Sequence, residues 1–411
     1  MVTSIIAIAT VVAVWSLLAA RFERWRIGAP LVAVAAGVAV GLTTRNTIGE
    51  SLNSEVALKA AEIILAILLF VDATEVRSGP LGHHPAAAVR VLLIALPLSL
   101  IASVGLGSWL LPGFSWPVLL VIACVVTPID FAPAGSILRE NRISARVRGI
   151  LNVEAGYSDG IVSPIIIFAL TLAGGLTQAN TPTDALRAAV PASIKAILVG
   201  TAVGLVLAFL TGLAERARTM NVQSKRLILV AAPLLAYGVS VGIHGNGFVS
   251  SFVCGLAFHY FHHKPESARD LELLDDIGFL LTLVMWFVFG SVTVLALWDG
   301  VEWGLLAFCL AALTATRTIP IALALIGTRI PWRERVQIGW LGPRGTSSIV
   351  FGLLAFNVLD MHDGVEALTA MVVTVLGSVL FHSDGSRAAV RKLSAALANP
   401  QKASDPKRAH D

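Results

Sequence analysis

The sequence predicts an all-α polytopic membrane protein of about thirteen transmembrane helices, arranged as an inverted repeat in which spans 5 and 12 are interrupted. Three observations carry this. Hydrophobic residues fill 56% of the 411 positions and charged residues only 14%, against roughly a quarter charged in soluble domains. Apolar runs close to the ~20 residues needed to cross a ~30 Å hydrocarbon core recur from end to end, with no soluble domain between them. Gly/Pro interruptions then fall in two runs that correspond across the two halves of the chain.

The runs begin near Val2, Gly28, Val56, Val91, Ser115, Val147, Leu186, Leu227, Gly245, Asp276, Val301, Ile338 and Glu366. The first has no basic residue before it and no small-residue cleavage site after it, so it reads as a retained span and not a signal peptide. Spans 2 to 4 are apolar stretches separated by short polar segments. Span 5 contains Thr127-Pro128-Ile129-Asp130-Phe131-Ala132-Pro133, and span 6 contains "NVEAGYSDG" before an apolar continuation. Spans 7 to 11 are again largely apolar, apart from Arg317 in span 11. Span 12 contains Gly342-Pro343-Arg344-Gly345, and span 13 leads into a short basic tail, residues 386–411. Cys124, Cys254 and Cys309 lie far apart in apolar segments without C-x-x-C spacing, which argues for packing roles over disulfides or a metal.

Lys and Arg set the orientation. The loops after odd-numbered spans and the tail hold 24 of the 30, whereas the opposite loops hold Arg45, Lys59, Arg187 and Lys195. By the positive-inside rule the N-terminus is expected outside and the C-terminus in the cytoplasm, at the cytoplasmic (inner) membrane. The formal charge of +4 then belongs to membrane insertion and anionic-lipid contact, not to a nucleic-acid partner.

With thirteen spans and an outside start, spans n and n+7 cross in opposite directions, so spans 1–6 and 8–13 form the expected inverted repeat. Both interruptions should free backbone hydrogen-bonding groups. Paired breaks of this kind point to a secondary transporter's midplane site.

An intramembrane charge costs at least ~2.5 kcal/mol and marks a functional site by default. The set is Asp72, Asp130, Glu154, Asp159, Arg317 and Arg344. At ~1.5 Å per residue Glu154 lies about 10 Å into span 6 and Asp159 about 18 Å, on faces about 140° apart, so the two acids should have different jobs. Arg344, at about 10 Å into span 12 on the same rise, matches Glu154 in depth and is the expected partner in a structural ion pair. Asp159, Asp130, Ser158 and Thr127 supply hard oxygen donors suited to Na+, Li+ or K+. Burial in low dielectric raises a carboxyl pKa, by up to ~3 to 5 units in the extreme, so protons compete with cations for the same group. Asp72, in "LLFVDATEVR", is a helix-end residue or an accessory site, and Arg317 needs a partner, either Asp130 or a helix C-terminus. His259, His262 and His263 read as a solvated span-end cluster without the ligand set of a metal site.

These residues resemble the NhaP/NHE-type sodium/proton antiporters of the monovalent cation:proton antiporter superfamily. "TPIDF" is similar to the family's T-P-T-D-P, keeping Thr127, Pro128 and Asp130 with Ile129 and Phe131 as departures. "EAGYSDG" resembles E-S-G-L-N-D-G, with Glu154, Gly156, Asp159 and Gly160 matching and Ser158 in the place of Asn. "GPRG" is similar to G-x-R-G, and "LLFVDA" to the acidic motif of span 3. Together they cover about residues 5 to 385.

The resemblance implies an inverted-repeat antiporter fold over residues 1–385, with spans 1–3 and 8–10 as dimer domain, spans 4–6 and 11–13 as core domain and span 7 as linker. It implies a homodimer whose core moves in an elevator-like fashion. Asp159 would bind cation or proton with Asp130 and Thr127 near it, and Glu154 would pair with Arg344. No cofactor is implied. In the family Asn-Asp accompanies electroneutral and Asp-Asp electrogenic exchange; the single acid beside Ser158 favours electroneutral. Three other readings fit less well. A sodium-coupled symporter of small organic anions would want more intramembrane Asn and Gln. An intramembrane aspartyl protease on Asp130 and Asp159 would want an uninterrupted Y-D and a G-x-G-D. A ligand-gated channel would want a nucleotide-sensing G-x-G-x-x-G.

Overall fold

The computed structural model describes residues 2–24, 28–52, 54–75, 81–134, 136–140, 142–174, 181–262, 268–298 and 300–382. His263 and the basic tail lie outside these residues. Helices are the only regular secondary structure among the described residues, with no strand. The helices are α1 (Val2–Arg24), α2 (Ala29–Leu52), α3 (Glu55–Glu75), α4 (Pro85–Leu110), α5a (Trp116–Val126), α5b (Ser136–Arg139) and α6 (Ala145–Leu172). They continue as α7 (Pro182–Arg216), α8 (Val222–Gly242), α9 (Gly247–Phe261), α10 (Ala268–Leu297), α11 (Trp303–Ala324), α12a (Trp332–Trp340), α12b (Thr346–Val358) and α13 (Met361–His382).

Seven of these among the described residues are long and apolar enough to cross a membrane: α4, α6, α7, α8, α10, α11 and α13. Five shorter apolar helices join them, in α1, α2, α5a, α9 and α12b. A multi-pass all-helical membrane protein follows, though this does not fix the number of crossings at thirteen.

Local chemistry explains the boundaries. Ser144 caps α6 by accepting from the Val147 amide at 3.3 Å, Asn221 caps α8 from Ser224 at 2.8 Å, and Asn246 caps α9 from Phe248 and Val249. In α4 a π-helical turn over Val91–Ala95 precedes Pro97, which has no N–H to continue the ladder. Thr314 (φ −122°, ψ −80°) kinks α11 three residues before Arg317.

Small residues set the tightest packing. In α2, a Cβ at Gly37 would run into the Phe287 carbonyl of α10, and one at Gly290 into the Val34 carbonyl. Ser291 Oγ donates to Gly37 O at 3.0 Å across the same contact. Gly200 and Gly204 of α7 likewise meet the Ser250 and Cys254 carbonyls of α9. Gly37 with Gly41, which meets the Ser291 carbonyl, and Gly200 with Gly204 are Gly-xxx-Gly pairs, the spacing that lets backbones touch where lipid supplies no hydrophobic drive.

Candidate functional site

The two interruptions meet. The α5 break runs from Thr127, the C-cap of α5a, through a 3-10 turn at Ala132–Ala134, and the α12 break runs from Leu341 to Gly345. Pro128 and Pro343 cannot donate to a helical ladder. The freed groups find each other: the Asp130 amide donates to Pro343 O at 2.9 Å, and Arg344 Nη1 donates to Pro128 O at 3.2 Å. Asp130 Oδ2 accepts from the Thr346 amide at the N-terminus of α12b, and the Arg344 amide donates to Ser378 Oγ of α13 at 2.7 Å.

This crossing is electrostatically matched. A helix N-terminus carries about half a positive charge and a C-terminus about half a negative one. The Asp130 carboxylate sits on the N-terminus of α12b and the Arg344 guanidinium on a carbonyl just past the C-terminus of α5a, so each side chain opposes the helix end it meets. Gly345 makes room: a Cβ there would lie 2.5 Å from Asp130 Oδ2.

Asp159 lies beside the crossing and is 2% exposed. Ser158 Oγ donates to its Oδ1 at 3.2 Å, and Ser347 Oγ, from the first turn of α12b, donates to its Oδ2. Ser163, a turn along α6, donates to Gly160 O at 3.3 Å. Thr127 is buried at the end of α5a, and Asp72 is half-buried near the end of α3.

The ion pair differs from expectation. Glu154 is held by Arg317, whose Nη2 lies 2.9 Å from both carboxylate oxygens, while Arg317 Nη1 donates to Ile338 O at 2.9 Å and Gly339 O at 2.6 Å. Arg317 therefore ties α6 to the C-terminal carbonyls of α12a, and Arg344 is not the partner of Glu154. The expected depth of Arg344 assumed helical rise through span 12. The chain is not helical from Leu341 to Gly345, and an extended residue advances about 3.3 Å, not ~1.5 Å. Gly342 closes the arrangement, since a Cβ there would strike the Arg317 guanidinium.

The histidine cluster also differs. His262 is buried, with its ring stacked on Phe258 and its Nε2 3.7 Å from Glu215 Oε1, because the ends of α7, α8 and α10 converge on it through Glu215, Lys225 and Asp270. Solvated it is not. His259 is half-buried.

The site therefore combines a buried carboxylate, two flanking hydroxyls, a second carboxylate and an arginine at a crossing of two broken helices. The model of the family described as "Sodium/hydrogen exchanger, transmembrane" matches residues 6–387. The chain belongs to this family. That places it among transporters and not enzymes. It is 24% identical over 340 residues to a Na(+)/H(+) antiporter of Schizosaccharomyces pombe, covering 78% of this chain and 71% of that protein. It is 25% identical over 360 residues to the K(+)/H(+) antiporter NhaP of Alkalimonas amylolytica, covering 85% of this chain and 61% of that one. The chain spans 42% of a second, probable Na(+)/H(+) antiporter of S. pombe. In fold it is similar to the sodium proton antiporter MjNhaP1 of Methanocaldococcus jannaschii, with a TM-score of 0.73 at 18% identity over 93% of this chain and 98% of that one.

Ser347 lies outside the motifs that the sequence singles out. Its signal was the run Thr346-Ser347-Ser348 directly after the second break, three hydroxyls where a buried helix would otherwise be apolar.

Proposed function

We propose that this chain exchanges a monovalent cation (Na+, Li+ or K+) for protons by alternating access, with Asp159 as the shared site. The supporting observation is a buried carboxylate beside the crossing of two interrupted helices. Both ions compensate the same charge. Asp130, Glu154 and Asp159 against Arg317 and Arg344 leave one negative charge when all are ionised, and one cation or one proton neutralises it. Carrying either cargo through a low-dielectric barrier then avoids moving a bare charge, which favours one-for-one, electroneutral exchange. Asp130 and Thr127 complete the cation environment, with Asp72 as an accessory, while Glu154 and Arg317 hold α6, α11 and α12a in register.

The same reading assigns spans 1–3 and 8–10 to a dimer domain, 4–6 and 11–13 to a moving core and span 7 to the linker. The close α2–α10 contact supports a rigid unit in the first of these, and the close α7–α9 contact supports a linker fastened to it. The chain is a homodimer in the cytoplasmic membrane, in contact with its lipid, with its N-terminus outside and its basic tail in the cytoplasm; the Lys/Arg asymmetry supports this orientation. Its role is pH and cation homeostasis. The relatives' names include both Na+ and K+, so the cargo is to be read by experiment.

In proteoliposomes with an imposed pH gradient, adding Na+, Li+ or K+ should dissipate the gradient, and Asp159→Asn should abolish the response. A gradient indifferent to all three cations from about pH 6 to about pH 9 refutes exchange.

A further inference from the structure

Three further features invite a role: the buried polar cluster of His262, Glu215, Lys225 and Asp270, the contact of Phe252 with Gly160, and the hydroxyl run on α12b. The third carries furthest. Ser347 and Ser158 address opposite oxygens of one carboxylate, Oδ2 and Oδ1 of Asp159, from different helices. Ser347 is 5% exposed and stands in the first turn of α12b, two residues past Gly345. The hydroxyls on either side of it, Thr346 Oγ1 and Ser348 Oγ, are buried without a hydrogen-bond partner among the described residues. Buried polar atoms are normally satisfied, so this stretch of α12b carries more oxygen than the protein itself uses.

We propose that Ser347 is a direct cation ligand of the exchange site and the hydroxyl that sets its selectivity. This rests on the exchange reading above. A hydroxyl has one donor and two acceptor lone pairs and turns freely about its C–O bond. The Ser347 and Ser158 hydroxyls donate to the Asp159 carboxylate. When an alkali cation binds the carboxylate, the O–H vectors turn away and the same oxygens face the cation with their lone pairs. When a proton binds instead, a hydroxyl accepts from the new carboxyl O–H. No group has to leave the site for the cargo to change. Because Ser347 belongs to α12b and Ser158 to α6, the spacing of the two helices fixes how wide the oxygen cage is, and that width is what distinguishes Na+ from K+.

The test is cation-dependent proton flux in proteoliposomes of the full chain, titrated separately with Na+ and K+, for wild type, Ser347→Ala, Ser347→Thr and Asp159→Asn. Ser347→Ala should raise the half-saturating concentration of the preferred cation about tenfold, the change expected for one lost ligand worth ~1.4 kcal/mol. It should also change the ratio of the half-saturating Na+ and K+ concentrations. Ser347→Thr should restore affinity. If Ser347→Ala does not survive purification, Ser347→Cys replaces it. Its softer sulfur should weaken binding of hard cations in the same way. Unchanged half-saturation and Na+/K+ ratio in the alanine or cysteine variant, or a threonine variant no better than alanine, overturns the ligand role while exchange through Asp159 stands. A wild-type protein without cation-dependent flux overturns both.

Discussion

The pairing of Glu154 with Arg317, instead of Arg344, can be measured by a double-mutant cycle. The variants are Glu154→Gln, Arg317→Met, Arg344→Met and the two doubles that contain Glu154→Gln. Glu154 is 6% and Arg317 3% exposed, and both carboxylate oxygens lie 2.9 Å from one guanidinium nitrogen. Removing one partner of such a pair costs ~3 to 5 kcal/mol, because the other charge is left buried and uncompensated. Arg317→Met belongs at the upper end, since it also strips donors from Ile338 O and Gly339 O. In the Glu154/Arg317 double no stranded charge remains, so the singles should over-count by about 2 kcal/mol, within the range for residues in contact. Arg344 is bonded to Pro128 O. Its coupling to Glu154 should be smaller, roughly 0.5 kcal/mol. Unfolding titrations of the purified protein in mixed micelles, read by near-UV circular dichroism, supply the free energies. A Glu154/Arg344 coupling equal to or larger than the Glu154/Arg317 coupling would refute the assignment.

Other perturbations test the packing and the crossing. Gly345→Ala puts a methyl group 2.5 Å from Asp130 Oδ2; flux should fall at least about tenfold with a normal size-exclusion profile, since displaced catalytic or binding groups of this kind commonly cost ~10- to 100-fold. Wild-type flux would show that Asp130 need not hold the N-terminus of α12b. Gly37→Ala drives a methyl into the Phe287 carbonyl and should destabilise the protein by ~1 to 3 kcal/mol, seen as a lower thermal midpoint. Gly105→Ala, with open space around its Cβ, is the control and should leave the midpoint unchanged or raised. Equal midpoints for the two variants would remove the close α2–α10 contact from the account.

The sequence by itself determined the all-helical membrane class and the position of the two helix breaks. Composition and span-length apolar runs leave no other fold class, because backbone polar groups in lipid must be satisfied within helices. Pro128, Pro343 and the neighbouring glycines marked the two breaks, since a missing N–H and a missing Cβ are properties of the residue wherever it sits. Asp159 stood out because a carboxylate in an apolar span is too costly to be incidental.

Tertiary structure alone decided who touches whom. Depth along a helix is one coordinate, and pairing needs three; the match of Arg344 to Glu154 in depth failed because the unwound chain around Arg344 does not follow helical rise. Arg317 took Glu154 because it can also satisfy the carbonyls at the end of α12a, atoms whose availability depends on where that helix stops. The place of His262 at a span end predicts solvation, yet three other helix ends cover it. Ser347 met Asp159 only because the broken halves of α5 and α12 cross next to α6. That crossing is a long-range juxtaposition of segments more than 200 residues apart, and no local pattern encodes it.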